Sequence, residues 1–552
     1  MDRKTLLAFV LIALVLILTP WYMELVTPGY SEAPSDALYQ AEETITNKNP
    51  SQVRRRDEQQ RVSPPNSSRK ASSKNIVIKN NYYTAILNNM NGGSFVSFEL
   101  NKYMRYDSTV VNLIDELNKN NLILSFVSLD GEMVVLNQAW SIINEAPALD
   151  ARQSQKSVLL QTGFGGNIIQ KRFTFYPNSY NVDLEISFNR SDRYVSRGEY
   201  YLNWDGGLSS SEKNTKDDHT YFKGYAYLGD ELLEVGAKEN KLSVENQRGK
   251  TGWTAVKSKY FVAAIIPEVP GIGASVSGII EGGRPLYNTQ LVLSTTTKRA
   301  SLYIGPQDYK AIGELNVNLE KTMNLGWALF RPLGRLITWS LTKMYAIVPN
   351  YGLVVIIFAF LVKLLLNPLT KQSFVSNKKM QAVQPEIQKL KERYKNDPQK
   401  LNRAQMQLFK DRGVNPMGGC LPLLLQMPIL ISFFTVFRST IEFRGAPFFG
   451  WITDLSAPDT LITLAGFPVN VLPVVMGATM FLQQKLMATP AGGGQQKLML
   501  YFMNVFFLFL FYSFPSGLNL YYSVFNFLSI IQQKYLIPDV VPPGQNNPKD
   551  KK

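Results

Sequence analysis

The sequence predicts a polytopic α-helical membrane protein, with six transmembrane helices and a large extracytoplasmic antiparallel β-sandwich domain. Apolar runs close to bilayer length recur between 351 and 537, with one more at the N-terminus. Between 75 and 320, polar and apolar residues alternate at period two, the mark of half-buried strands. Basic residues gather on alternate loops, which fixes an orientation.

The elements follow in chain order. Residues 1–28 read as an N-terminal transmembrane anchor: Arg3 and Lys4 hold the start in the cytosol, and the apolar run ends on the aromatic pair Trp21 and Tyr22. A cleaved signal peptide is the alternative, but no Ala-x-Ala site follows. Residues 29–74 are rich in Pro, Ser, Glu, Gln and Arg and read as a disordered linker outside the cytosol. Segments such as NIVIKNNYYTAIL, YNVDLEISF and KYFVAAIIP supply the strands of the 75–320 domain, with turn residues such as Asn91-Gly92-Gly93 between several of them. Residues 321–350 mix apolar residues and tryptophan with Arg331, Arg335 and Lys343, the pattern of a helix lying on a membrane surface.

The core, 351–537, holds five further spans, near 351–369, 418–438, 469–487, 498–514 and 518–537. The loop 370–416 is strongly basic. The opposing loop 439–468 carries Arg444 against Glu442, Asp454 and Asp459. The short return at 488–497 and the tail 538–552, ending Lys-Asp-Lys-Lys, lie on the basic side. Charge asymmetry and span parity therefore agree in placing both termini in the cytosol.

Within 377–412, Met380, Val383, Ile387, Leu390 and Tyr394 recur at spacings of three and four. After Lys395-Asn396-Asp397-Pro398, a second stripe holds Leu401, Ala404, Leu408 and Phe409. Two such helices make an antiparallel hairpin. Pro385 either starts the first or kinks it. The hairpin is either a solvated connector or a working part.

Composition closes off other classes. The formal charge of +15 is not gathered into a motif that reads nucleic acid, so specific DNA binding is not expected; anionic lipid accounts for it more simply. The single cysteine, Cys420, excludes an intramolecular disulfide, and the single histidine, His219, sits in a polar loop. There is no P-loop and no zinc-binding helix motif, and neither cofactor nor metal is expected.

The most informative residue is Lys363, past the midpoint of the span YGLVVIIFAFLVKLLLNPL. A charge there costs roughly 2.5–3.5 kcal/mol on insertion scales. One reading is snorkelling: the cytosolic end at Thr370 is about 10 Å of helix away. The other is a site. Gln426, Asn504, Asn519, Tyr521, Tyr522, Ser523 and Asn526 put further polar atoms inside the spans, none carries a carboxylate, and Lys363 is then an unpaired cation in a wet cavity.

The span around Lys363 belongs to a longer pattern: Asn415-Pro416-Met417-Gly418-Gly419-Cys420 with Pro422 and Gln426-Met427-Pro428, then Trp451-Ile452-Thr453-Asp454-Leu455, then FLQQK and FPSGLNLYYSVFNFLSIIQQ. Over most of 325–537 this resembles the YidC/Oxa/Alb family of membrane protein insertases, of the Gram-negative type. The resemblance implies a non-enzymatic insertase and membrane chaperone of the bacterial inner membrane with a periplasmic β-sandwich. It also implies a positively charged groove in the inner half of the membrane, lined here by Lys363, Gln426, Asn519, Tyr521, Tyr522, Ser523 and Asn526. The implied partners are nascent membrane proteins, the Sec translocon, the ribosome and the signal recognition particle receptor, the last two through the basic hairpin. The family usually has arginine where Lys363 stands, a polar residue where Ala359 stands and a serine where Phe525 stands. The groove here is then less polar, and lysine lacks arginine's planar bidentate grip.

Two rivals remain. A small-anion transporter built on Lys363 requires inverted repeats, and none is visible among the five spans. A membrane-anchored carbohydrate-active enzyme requires a carboxylate pair on the β domain, which the sequence does not place on one face.

Overall fold

The structure, a computed structural model, describes residues 72–143, 147–323, 330–415, 421–487 and 494–537. The expected anchor at 1–28, nearly all of the linker at 29–74 and the tail at 538–552 lie outside the described residues. The chain divides into two units: a β-rich one within 47–324, and a helical one from 325 onward.

In the β-rich unit, period-two alternation becomes two sheets. Among the described residues, one has five strands, in spatial order Val110–Asn112, Ser94–Met104, Tyr83–Asn88, Asn75–Lys79 and Ala148–Asp150, and the other has fourteen. Aromatic side chains join them: the Phe95 ring of the small sheet meets Phe173 and Phe175 of the large one edge-on, at 5.8 and 6.4 Å. One edge departs from the antiparallel expectation. Asn75–Lys79 pairs in parallel with Ala148–Asp150, in the register Val77 to Ala148. A three-residue edge strand needs few ladder bonds, and the long connection from Asn88 onward lets it arrive in either direction.

Among the described residues three lysines of this unit are buried, Lys171, Lys257 and Lys259, the last paired with Asp217 at 2.9 Å. Lys171 donates to Gly92 O (2.7 Å) and Leu122 O (2.5 Å), with its Nζ 4.9 Å from the Trp140 ring. Lys257 donates to Thr322 O (2.7 Å). Burial pushes the Lys171 ammonium down to about 7 and that of Lys257 down to about 8.

The helical unit contains α1 (Arg331–Tyr345), α2 (Tyr351–Ala382), α3 (Gln384–Arg393), α4 (Pro398–Asp411), α5 (Leu421–Ser439), α6 (Leu472–Met487), α7 (Gly494–Phe511) and α8 (Ser516–Ile531), the last running into a π turn at Gln532–Leu536. Helix α1 buries Ile337 and Leu341 and leaves Leu336 and Trp339 exposed. Asn350 caps α2, its side-chain oxygen accepting from Leu353 N at 3.0 Å. Among the described residues α2 alone is long and apolar enough to cross a membrane unaided.

Helix α2 is longer than its sequence suggests. It does not close on Asn-Pro-Leu-Thr but continues through Pro368 to Ala382. Proline removes one N–H and strains the turn before it. Thr370 Oγ1 donates to the carbonyls of Leu366 (3.0 Å) and Asn367 (3.2 Å), within the turn that carries the proline. Met380 therefore belongs to the end of α2, and the hairpin proper is α3 and α4.

Pro385 lies in the first turn of α3, so it starts that helix. Asp397 caps α4 through Lys400 N (3.0 Å). Ile387 and Val383 pack with Val414, Met380, Leu408 and Phe409. Leu390, Tyr394 and Leu401 are half-buried, and Arg412 pairs with Glu386 at 2.9 Å.

Candidate functional site: a lysine on the seam of two helices

The first half of α2 packs dry. Val354, Val355 and Ala359 meet Phe433 and Phe437 of α5 and Leu518, Tyr521 and Phe525 of α8. Phe433 stacks on Tyr521 with ring centres 4.1 Å apart. Small residues permit this closeness. At Gly517 an added Cβ would stand 2.5 Å from the Phe437 ring and 3.1 Å from Leu455 O.

The segment 446–459 closes that end. Leu455 O accepts from Gly517 N (3.0 Å), and Ala457 O accepts from Ser516 N (2.8 Å), two of the free donors at the start of α8. Asp459 Oδ2 accepts from Leu472 N (2.7 Å), Val471 N (3.0 Å) and Trp451 Nε1 (3.2 Å), which caps α6. The Trp-Ile-Thr-Asp-Leu motif is thus the plug of the dry end, with Ile452 and Leu455 in the core.

The second half of α2 is polar where it meets α8. Lys363 Nζ donates to Ser529 Oγ (2.7 Å). Ser529 donates its own proton back to Phe525 O (2.8 Å), which turns its lone pairs toward the ammonium. Further along, Gln532 donates to Asn367 and, at 3.3 Å, to Thr370, and Lys378 donates to Ile537 O (2.9 Å). The pairs 363–529, 367–532 and 378–537 advance together, so α2 and α8 run parallel along a polar seam.

Lys363 is 7% exposed, with its Nζ 4.8 Å from the Phe525 ring centre and 5.4 Å from that of Phe374. Phe374 lies eleven residues, about 16 Å of helix, beyond Lys363. The side chain therefore bends toward the far end of α2, as a snorkelling lysine does, but it stops on a hydroxyl and two rings. The expected unpaired cation in a wet cavity is instead a capped one.

The other expected groove residues are placed differently. Asn519 Nδ2 donates to Phe511 O (3.2 Å) and Phe514 O (3.4 Å), fastening the α7–α8 turn. Ser523 Oγ donates to Asn519 O (2.7 Å). Tyr521 and Tyr522 lie in the dry core, the hydroxyl of Tyr522 buried without a partner. Asn526 is buried and Gln426 half-buried, and neither bonds to Lys363. Asn504 donates to Gln484 (2.6 Å), tying α7 to α6. Sequence reasoning missed Ser529, Gln532, Asn367 and Thr370. The signal was the stripe Tyr522, Phe525, Asn526, Ser529, Gln532 at spacings of three and four.

Large apolar faces remain open on the bundle. Phe509 of α7 is 82% exposed and Leu365 of α2 is 75% exposed, with Val505, Tyr501 and Leu364 also exposed. Exposure of this extent belongs to a surface that meets lipid or apolar chain.

A helical unit with open apolar faces and a buried charged seam, joined to a large β-rich domain, has the build of a membrane-embedded protein with a folded domain outside the bilayer. Residues 343–541 match the family described as the 60Kd inner membrane protein, and residues 75–340 match the YidC periplasmic domain. The membrane protein insertase YidC of Chlorobaculum parvum is 38% identical over 470 residues, covering 81% of this chain and 79% of that one. Its counterpart in Chlorobium limicola is 34% identical over 563 residues, covering 97% and 94%. Among solved structures, an active YidC insertase with its first transmembrane domain resolved is 18% identical at a TM-score of 0.38, covering 84% of this chain and 93% of that one. A putative aldose 1-epimerase of Escherichia coli K12 is 10% identical at 0.26, covering 42% and 99%. The chain belongs to the YidC family of membrane protein insertases, a non-enzymatic family of the inner membrane.

Proposed function

We propose that this chain inserts and chaperones nascent membrane proteins by drawing their short acidic or polar flanks into the polar half of the α2–α8 seam, while their apolar segments slide along α5 and α7 into lipid. The observation that carries this reading is the division of α2 into a dry half around Ala359 and a polar half around Lys363. A flank entering from the polar end meets donors, and the plug at 446–459 stops it at the other.

In this reading six spans place the Lys363 end and the basic hairpin in the cytosol, both termini there, and the β-rich domain in the periplasm as a scaffold. Helices α5 to α8, with the segments that flank them, supply four of the six. The hairpin is the meeting point for the ribosome and the targeting receptor, and the bundle works alone or beside the Sec translocon.

The energetics fit a transient hold. Two unit charges 4 Å apart attract by about 4 kcal/mol at an effective dielectric of 20, before desolvation is subtracted. The ammonium gives one of its three N–H groups to Ser529, so it can meet a carboxylate with another or by turning from the hydroxyl. A potential positive outside then favours onward movement of the negative flank by about 2.3 kcal/mol per 100 mV. No bond is made or broken, so the cycle needs no nucleophile, metal or nucleotide.

Photocrosslinking of a stalled, acid-flanked client tests this. Probes at Asn367 or Gln426 are expected to trap the acidic flank, and a probe at Phe509 the apolar segment. Flank adducts from Phe509 but none from Asn367 would contradict it.

A further inference from the structure

Beyond Lys363, the end of α2, the end of α6 and the π turn enclose a cleft of about 230 Å³, lined by Phe374, Asn377, Lys378, Gln381, Leu486, Gln533, Lys534 and Ile537. Phe374 is the partition: its ring lies near the Lys363 ammonium on one side and lines the cleft on the other. Two features set the chemistry. First, Gln533 Nε2 and Asn377 Nδ2 are buried donors with no hydrogen-bond partner, and Gln533 is only 8% exposed. A buried donor without an acceptor is costly, so such a pair calls for something that accepts from it. Second, two lysines and, among the described residues, no carboxylate line the walls. Lys378 donates to Ile537 O (2.9 Å), which holds its ammonium at the wall of the cleft.

Such a lining calls for a ligand that only accepts hydrogen bonds and carries negative charge. We propose that the cleft holds the phosphodiester of a membrane phospholipid, with Asn377, Gln533, Lys378 and Lys534 as its donors. The neighbourhood selects a lipid over a free ion. Leu486 and Ile537 form an apolar side of the cleft, and the adjacent Tyr535 and Leu536 are well exposed, a surface suited to acyl chains. A phosphate there sets a fixed counter-charge beyond Phe374, on the route a client flank takes to Lys363. This rests on the proposed orientation, in which that end of the bundle meets the inner leaflet.

The test uses the full chain, purified in detergent and titrated with phosphatidylglycerol, with bound lipid counted by native mass spectrometry. Wild type is expected to retain one tightly held phospholipid. Gln533→Leu and the pair Lys378→Gln with Lys534→Gln are each expected to weaken it by about tenfold, the loss that follows removal of a charge-assisted hydrogen bond. The pair Lys389→Gln with Lys391→Gln on the hairpin removes equal charge elsewhere and is expected to leave it unchanged. Equal loss from the hairpin pair would reduce the effect to bulk charge and overturn the site, as would wild-type retention in Gln533→Leu. Displacement by inorganic phosphate at matched concentration would assign the cleft to a free anion. Displacement by oleate would assign it to a carboxylate. Either would overturn the lipid assignment. Insertion by the same variants is scored separately: unchanged insertion with lipid lost counts against a part for the lipid in the proposed cycle and not against the site.

Discussion

Lys363 and Ser529 stand 166 positions apart in the chain, yet the ammonium of one rests on the hydroxyl of the other at 2.7 Å. This contact makes a buried charge tolerable. Ser529 accepts from Lys363 because its own proton is committed to Phe525 O, and two phenylalanine rings cover what the hydroxyl does not. The arrangement is a resting state that an acidic visitor can compete with, since a carboxylate is a better acceptor than a hydroxyl.

Ser529→Ala is expected to lower stability of the intact protein in detergent by about 1.5–3 kcal/mol, because it strands a buried cation. Adding Lys363→Met is expected to recover most of that loss, since both partners are then gone. Thermal unfolding of the single and double variants measures it. Simple additivity would show that the pair is not coupled.

The plug has its own test. Asp459→Ala removes the acceptor of three donors at once and is expected to cost at least about 1–2 kcal/mol, the ordinary value of a helix cap. Asp459→Asn keeps an acceptor oxygen and is expected to lose less. Protease nicking of the 440–471 segment in the intact protein reads this directly, and equal nicking of the two variants would count against the cap.

Gly517→Ala is expected to destabilise the bundle by about 1–3 kcal/mol, because its Cβ would press on Phe437 and on a backbone carbonyl that cannot step aside. A Phe437→Leu partner is expected to relieve part of the clash. An unchanged melting temperature in Gly517→Ala would contradict the close approach.

The β-rich domain has an expected pH dependence. Unfolded lysine holds its proton to about 10.5, whereas folded Lys171 releases it near 7 and folded Lys257 near 8. Between those values the unfolded chain binds more protons, so stability rises with pH from about 7 toward 10. A neutral amine still has two N–H groups, enough for Gly92 O and Leu122 O. Above about 10 the sign reverses: Tyr180 and Tyr194, pushed up to about 12 by burial, keep their protons folded and lose them unfolded. Unfolding followed through Trp140, Trp204 and Trp253, all buried in this domain, checks both limbs. Lys171→Met is expected to flatten the rising limb, and a falling limb between 7 and 9 in the wild type would contradict it.

The sequence made the two-part architecture legible because each part obeys a simple period: two for the strands, and bilayer-length apolar runs for the spans. It also marked Lys363, since a charge in such a run is costly wherever it sits. It misjudged the neighbours. Asn519 and Ser523 look like groove polarity, but a polar side chain in a helix can be consumed by nearby carbonyls, and these two are. Ser529 and Gln532 lie on a stripe the sequence shows, but that this stripe of α8, and not the one through Asn519 and Ser523, faces Lys363 is a tertiary fact. The length of α2 was hidden by Pro368, whose local signal to stop is overridden by packing along the seam with α8.

In the proposed cycle the Lys363 ammonium acts on client carboxylates. The most direct measurement is insertion of a short-tailed, acid-flanked single-span protein into vesicles containing the wild type, Lys363→Ala or Lys363→Arg, beside a charge-free client. Alanine is expected to lose the acidic client and arginine to restore it, with the charge-free client little changed. If alanine inserts both clients as well as the wild type does, Lys363 only snorkels, and the apolar slide alone carries the work.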